Sequence, residues 1–481
     1  MATIKIDTFG GISPRTHPTL LADGMAVTAH NCKLESGKLV PLKNPSYAIF
    51  SGQRFLENNI EKISDAKSMH IWYNKDGISF DILIFPGVTW ATPGNVADDY
   101  LTRLIVSGDT GTHQTPFLIN DISERTNDPV LYLRDPNDGG KKVIVPLCKS
   151  ALDAPIVERI SENELGENRR YTRFFVTWVD RWGMESPTSK PSLVKNSDTG
   201  KDEDLEYNDG DKIKIFIKEL SDKSDKSGID MIRVYKIITG ADTGRIQFVA
   251  EFNSNDVIEN NGYITVWDKD ENMGEILTEI ESPPDDLRCI INVPGGFYCG
   301  ISPSNPKTVF FSEVDMFYSW PTSYRYDVKD NIVALAVSNN TVYALTNGYP
   351  YAFSGTTPES MTVTEISTPA SCVSVKSVCV YRDAVYFASN EGLMQISEMN
   401  CQNITRPFFT REQWEALNPA SCLIGLHQEK LHLFFSKDEL GNGYLINLLE
   451  SGKIAITTHD EVASCLCENK ATSELYYIKN K

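Results

Sequence analysis

The sequence predicts a mainly β protein: a β-propeller with an inserted β-sandwich of the fibronectin III/Ig-like kind and an extended N-terminal arm. Three observations predict it. Segments 296–300, 341–345, 384–388, 430–434 and 474–478 share one pattern, a short alternating strand followed in most cases by a turn and a second strand. Their central residues Tyr298, Tyr343, Tyr386, His432 and Tyr476 are spaced by 45, 43, 46 and 44 residues. A period in the low-to-mid forties with several strands per period marks propeller blades. Segment 156–270 breaks that period but stays rich in strands. The first 55 residues are broken by Gly10, Gly11, Pro14 and Pro18, which exclude a long regular element.

The elements follow in order. In the arm, 1–55, residues 22–30 suit a short helical turn and 34–41 read as strand, tight turn, strand. Residues 56–155 hold the first blades: 69–73, a turn at 74–77 and a return strand at 80–85 form a hairpin. Strands at 101–107, 115–119 and 130–133 extend this to one or two blades. In 156–270 the strands are 171–180, 212–217, 229–238, 248–252 and 263–267, a pattern suited to a small sandwich. Residues 195–211 are polar and acidic, as a mobile loop would be. Residues 271–481 carry the remaining blades. One helix interrupts them: Thr410 and Gln413 fit a capping box, Trp414 and Leu417 share a face, and Asn418-Pro419 ends it. It reads as a brace between blades.

With 481 residues the chain exceeds one core, so two to four domains are expected. The net charge of −19 disfavours a conventional nucleic-acid binder, which needs a basic surface. Acidity also suits solubility, or a surface that must not retain a passing polyanion. The ten cysteines include no CxxC pair and read as buried free thiols made in a reducing cytoplasm. The first residues lack a charged-then-apolar signal, and no stretch approaches the ~18 apolar residues of a membrane span. A soluble protein synthesised in the cytoplasm is therefore expected.

The search for chemistry yields no catalytic, cofactor-binding or metal-ligating residue, and no enzyme is expected. The motifs GxxxxGK[ST], HExxH and GxSxG are absent. His427 and His432 fall on one hairpin and read as strand residues rather than ligands. Cys465 and Cys467 share a strand face, without a second pair to complete a soft-metal site. The run from Asp135 to Gly140 has oxygen ligands near glycines, but a hairpin turn explains it better than a calcium loop. Ser436, Asp438 and Gly441 approach a sialidase-type turn and fail at the glycine and tryptophan positions. Catalytic carboxyl pairs must lie ~5–10 Å apart, which spacing in sequence does not reveal.

Several segments resemble one family. Residues 9–14 (FGGISP), 20–26 (LLADGMA), Ala29-His30-Asn31 and 34–41 (LESGKLVP) resemble the opening of bacteriophage tail-nozzle and related virion proteins. The run 174–187 (FFVTWVDRWGMESP) is similar to a fibronectin type III-like strand and loop. Residues 232–236 and 248–251 resemble the inserted domain of such proteins, and 390–397, 410–414 and 417–419 resemble their blades. The collinear order of arm, partial propeller, inserted sandwich and remaining propeller is the stronger part of the likeness. The resemblance implies a structural virion protein of a short-tailed phage, located in the tail. It would form the nozzle that retains packaged DNA and then serves as its ejection channel. It implies six copies in a ring, contact with portal or adaptor proteins of the head–tail connector complex and with tail fibres or other tail proteins, and passing double-stranded DNA bound without sequence preference. The alternative is a receptor- or glycan-binding tail protein; a propeller hydrolase is a third, weaker reading.

Overall fold

The computed structural model describes residues 9–35, 38–46, 54–55, 66–73, 80–94, 103–110, 116–119, 121–122, 131–134, 142–143, 145–147, 151–160, 164–167, 170–180, 182–194, 204–221, 229–239, 245–268, 274–277, 280–435, 443–448 and 454–479. The chain is mainly β, and of the eleven sheets among the described strands seven are blades, two form a sandwich, and two smaller ones are the hairpin Cys32–Glu35 with Lys38–Pro41 and the strands Asp121–Ile122, Leu131–Arg134 and Lys142–Val143. Blade one is Ser68–Tyr73 and Phe80–Phe85, with Arg54–Phe55 added in parallel. Blade two is Thr89–Pro93, Leu104–Gly108, Phe117–Ile119 and Val145–Pro146. Blades three, four and five are antiparallel four-stranded sheets spanning 288–327, 332–365 and 379–403. Blade six runs from Leu423–His427 to Ile454–His459, and blade seven is the hairpin Ala463–Asn469 with Glu474–Lys479. The repeat read from Tyr298 to Tyr476 is the second strand of blades three to seven.

Alternation makes each blade apolar on both faces, so each face must be buried on a neighbour. Seven hydrophobic clusters do this, one per blade junction. Leu83 and Phe85 meet Leu104 and Phe117 between blades one and two. Ile105 and Leu118 meet Ile290, Tyr298 and Phe310 between two and three. The junctions from three to six are filled in turn by Phe311 with Phe353, Leu345 with Phe387, and Leu393 with Leu431. Phe434 meets Ala463 between six and seven. Cys465 and Cys467 meet Met69, Ile82 and Ile84 between seven and one, which closes the ring. Polar bonds pin the same seams. Thr92 Oγ1 donates to the Ile290 carbonyl at 2.7 Å, Leu426 N to Glu468 Oε1 at 2.6 Å, and the Tyr73 hydroxyl to Asn469 Oδ1 at 2.6 Å. Blades seven and one thus meet by packing, while the N-terminal segment joins the C-terminal part of the chain by strand pairing on blade six.

The arm lies along the outer edge of blade six. Gly11–Ile12 pairs in parallel with Ile454–His459, and Met25–Ala26 pairs with Gly11–Ile12. Gly11 has φ of +85°, and a Cβ there would sit 2.5 Å from the Ile456 carbonyl oxygen, so this edge pairing requires glycine. The expected helical turn at 22–30 is not formed: a 3-10 turn occupies Pro18–Leu20, and Met25–Ala26 is strand. Pairing with the blade edge offers residues 25–26 hydrogen bonds that an isolated turn cannot.

Between blades two and three the chain leaves the ring and builds a sandwich of two four-stranded sheets. One orders Leu193–Val194, Ile156–Arg159, Asp211–Phe216 and Tyr263–Asp268; the other orders Leu205–Tyr207, Arg170–Asp180, Ile229–Thr239 and Gln247–Asn253. Phe174, Val176, Ile213, Ile215, Ile232 and Val234 fill the space between them. Part of the segment expected as a loop is ordered strand, because Leu205 and Tyr207 alternate inward and are buried in that core. Residues 195–203 lie outside the described residues.

Candidate functional site

Three features of the ring stand out as places where function would reside: the edge of blade six, the seam with the sandwich, and the propeller axis.

At the blade-six edge, the antiparallel hairpin Leu423–His427 with Lys430–Phe434 brings His427 and His432 to a ring separation of 5.8 Å. The structure adds two histidines that spacing did not associate with them. His459, from the last strand of blade six, lies 5.9 Å from His432, and His30 of the arm bonds Thr458 and Asp460 next door. His459 is 1% exposed and packs against Phe434 and the bare backbone of Gly443, where any Cβ would fall 1.9 Å from His459 Cε1. The Glu461 amide donates to His459 Nδ1 at 3.2 Å, so Nε2 carries the proton, and it finds no partner among the described residues. Among the described residues no group of three or more His, Cys, Asp or Glu is placed to hold a metal ion.

This geometry couples the edge to pH. Burial pushes His459 down to about 4; the carboxylates of Glu461 and Asp460 oppose the shift and His30 adds to it. Burial also pushes His432 down to about 3, reinforced by His459, His427, Lys430 and Lys33, and pushes His70, between blades one and two, down to about 4. Each lowered value means that the folded state holds the neutral imidazole. Stability is therefore full above the ordinary histidine value and is lost as pH falls below ~6.5, where the unfolded chain takes up protons first. The fall to about 4 is worth about 3 kcal/mol for His459 alone by pH 4. Denaturant melts between pH 7 and 4 should show this loss. His459→Asn, whose Oδ1 still accepts from the Glu461 amide, should flatten the slope; an unchanged slope would refute the assignment.

The seam with the sandwich is built from the run read as a strand and loop. The strand Arg170–Asp180 ends in a turn held by Asp180 Oδ1, which accepts from the amides of Trp182 and Met184 at 2.9 and 2.8 Å. Gly183 takes φ of +79° there. The turn thrusts Trp182 and Met184 into the cluster between blades two and three, beside Phe317 and Trp320. Arg103 donates to the Trp182 carbonyl at 3.2 Å from the propeller side. Behind the turn, buried Glu185 accepts from the Thr177 and Tyr235 hydroxyls and from Arg233, at 2.5, 2.7 and 2.7 Å. Burial and this carboxylate hold Tyr235 well above the usual tyrosine range.

The remaining candidates are placed as follows. Cys465 and Cys467 point together into the core between blades seven and one, and burial pushes both thiols up, Cys465 to about 11. The nine described cysteines are buried and unpaired in disulfides. The runs from Asp135 to Gly140 and from Ser436 to Gly441 lie outside the described residues. Thr410 and Gln413 exchange the two bonds of a capping box, and the helix Arg411–Glu415 places Trp414 between blades five and six. No described helix is long and apolar enough to cross a membrane.

Among the described residues the ring and its insertion define a β-propeller of seven blades carrying a β-sandwich. No family model and no curated protein matches the chain. Among solved structures it is similar to the N-terminal domain of Nup159, with a TM-score of 0.26 and 8% identity over 48% of this chain, and it spans 59% of that chain's length. It is also similar to a quinonprotein alcohol dehydrogenase-like protein from Bacteroides thetaiotaomicron, with a TM-score of 0.29 and 10% identity over 69% of this chain and 77% of that one. The blade count rests on the chain's own strand pairing and not on these likenesses.

Proposed function

We propose that this chain is a structural virion protein of a short-tailed phage and forms part of the tail nozzle. The observation that carries this reading is the collinear order of arm, two blades, sandwich and five blades, together with the glycine-rich opening at 9–14 and the run LESGKLVP at 34–41. Six copies side by side would leave a channel through which packaged DNA passes. A net charge of −19 per chain supports this use, because acidic walls hold phosphates weakly and let a duplex slide. The arm would meet the portal or adaptor ring above: although docked on blade six, it presents Leu20, Val27 and Leu39 to solvent at 75%, 63% and 48% exposure.

The alternative, a receptor- or glycan-binding tail protein, draws on one surface. Trp267 of the sandwich is 66% exposed, with Lys212 Nζ 5.0 Å from its ring, and the strand that carries it also carries Tyr263 of the Tyr263–Phe216 pair. Exposed aromatic rings suit stacking on sugar faces. Gold-antibody electron microscopy of particles from the source culture decides between them. Label on the tail axis is the expected result; label on peripheral appendages would favour the alternative, and absence of label from every particle would overturn both.

A further inference from the structure

The first strands of the seven blades surround the propeller axis and leave two adjoining cavities of about 830 and 790 Å³, which share Ala91, Pro93 and Lys470. The charge of the larger one runs against that of the molecule. The chain has 65 acidic and 46 basic residues, yet among the described residues this cavity is lined by Lys67, Lys376, Lys470 and Arg103 against one carboxylate, Glu468. Arg103 is committed to the Trp182 carbonyl and the Phe317 ring. Glu468 is engaged by the Leu426 amide and the Cys379 thiol, and burial raises its pKa towards the neutral acid.

Lys67 and Lys376 have no ion pair with a carboxylate among the described residues. Lys376 sits in the 3-10 turn Val375–Ser377 that leads into blade five, and its Nζ reaches the Ser464 carbonyl, 3.4 Å away, where blade seven begins. Lys67 directly precedes the first strand of blade one. The three blades thus bring two ammonium groups to one mouth of the axis, and among the described residues no carboxylate lies within ion-pairing distance of either. Burial, then the charge of Lys67, hold Lys376 below the usual lysine range against the opposing effect of Cys465. Lys376 is half-buried and Lys67 is exposed, and two like charges facing one cavity are unfavourable unless an anion lies between them. The volume is that of a small-molecule pocket rather than of a macromolecular groove.

We infer that the mouth of the propeller axis between Lys67 and Lys376 is a binding site for a small polyvalent oxyanion, a phosphate ester or a polycarboxylate. The two ammonium groups receive the oxyanion and the cavity receives the body of the ligand. The site lies on the axis of one chain, so it stands or falls separately from any ring of six.

The test is thermal unfolding of the full chain with pyrophosphate, citrate or glucose at matched ionic strength, on wild type, Lys67→Gln and Lys376→Gln. Pyrophosphate or citrate should raise the wild-type midpoint, glucose should not, and the more effective anion names the ligand class. Each substitution should weaken the apparent anion affinity at least about tenfold. Each should also raise the midpoint without anion, because it removes one of two repelling charges; a lysine with a merely structural role would lower it. No anion-dependent rise in wild type, or an equal rise in both variants, would overturn the assignment.

Discussion

Glu185→Ala is expected to destabilise the protein by about 3–5 kcal/mol, the cost of breaking a buried charge cluster by removing one partner. The carboxylate is the common acceptor for Thr177, Tyr235 and Arg233. Its loss removes the acceptor that the Thr177 and Tyr235 hydroxyls share in a buried site. It also leaves the Arg233 guanidinium, about a third exposed, with Glu251 as its remaining ion pair. The same residue backs the turn that seats Trp182 and Met184 between blades two and three, so the damage should spread from sandwich to ring. Thermal and denaturant unfolding measure it. Glu185→Gln, which still accepts one hydroxyl, should lose less than Ala. The double variant Glu185→Ala/Arg233→Met should recover part of the loss, because it removes a charge that the single variant leaves with one of its two carboxylate partners. A loss below about 1 kcal/mol in Glu185→Ala would show that the cluster does not hold the seam.

Trp414→Ala should cost a similar amount, about 3–5 kcal/mol, by opening a large cavity between blades five and six. Trp414 is 1% exposed. Its ring meets Phe409 and Phe435 edge-on at 5.8 and 5.7 Å, and its Nε1 donates to the Ser389 carbonyl on blade five at 2.8 Å. Trp414→Phe keeps most of the volume and loses the bond to Ser389, so about 1–2 kcal/mol is expected there. Because Gln413 Nε2 also donates to the Pro14 carbonyl of the arm, loosening the helix should expose residues 9–35 to proteolysis before the ring unfolds. A Trp414→Ala protein with an unchanged midpoint and an unchanged digestion pattern would refute the bracing role.

Much of this architecture is legible in single residues. The alternation around Tyr298, Tyr343, Tyr386, His432 and Tyr476 is a local property of strands, and the period that joins them is visible without coordinates. The capping box of Thr410 and Gln413 is local too, and it forms as the spacing predicts. The strand at Leu205–Tyr207 was hidden because its polar, acidic flanks mask two apolar residues that alternate inward. The histidine cluster was hidden for another reason. His427 and His432 are five apart, but His459 and His30 join them only across a four-stranded sheet and the chain's own N-terminal edge.

The sequence by itself determined a mainly β chain of repeated blades, the position of the inserted sandwich and the helix between blades five and six. Each is written in patterns a few residues long, where backbone geometry dictates which side chains share a face. The tertiary structure alone decided that the blades number seven, that the arm lies on blade six, and that Lys67, Lys376 and Ser464 meet at one mouth of the axis. Those facts depend on which distant segments pack together, and that is settled by burial of both faces of every blade around a closed ring, a condition that no local pattern records.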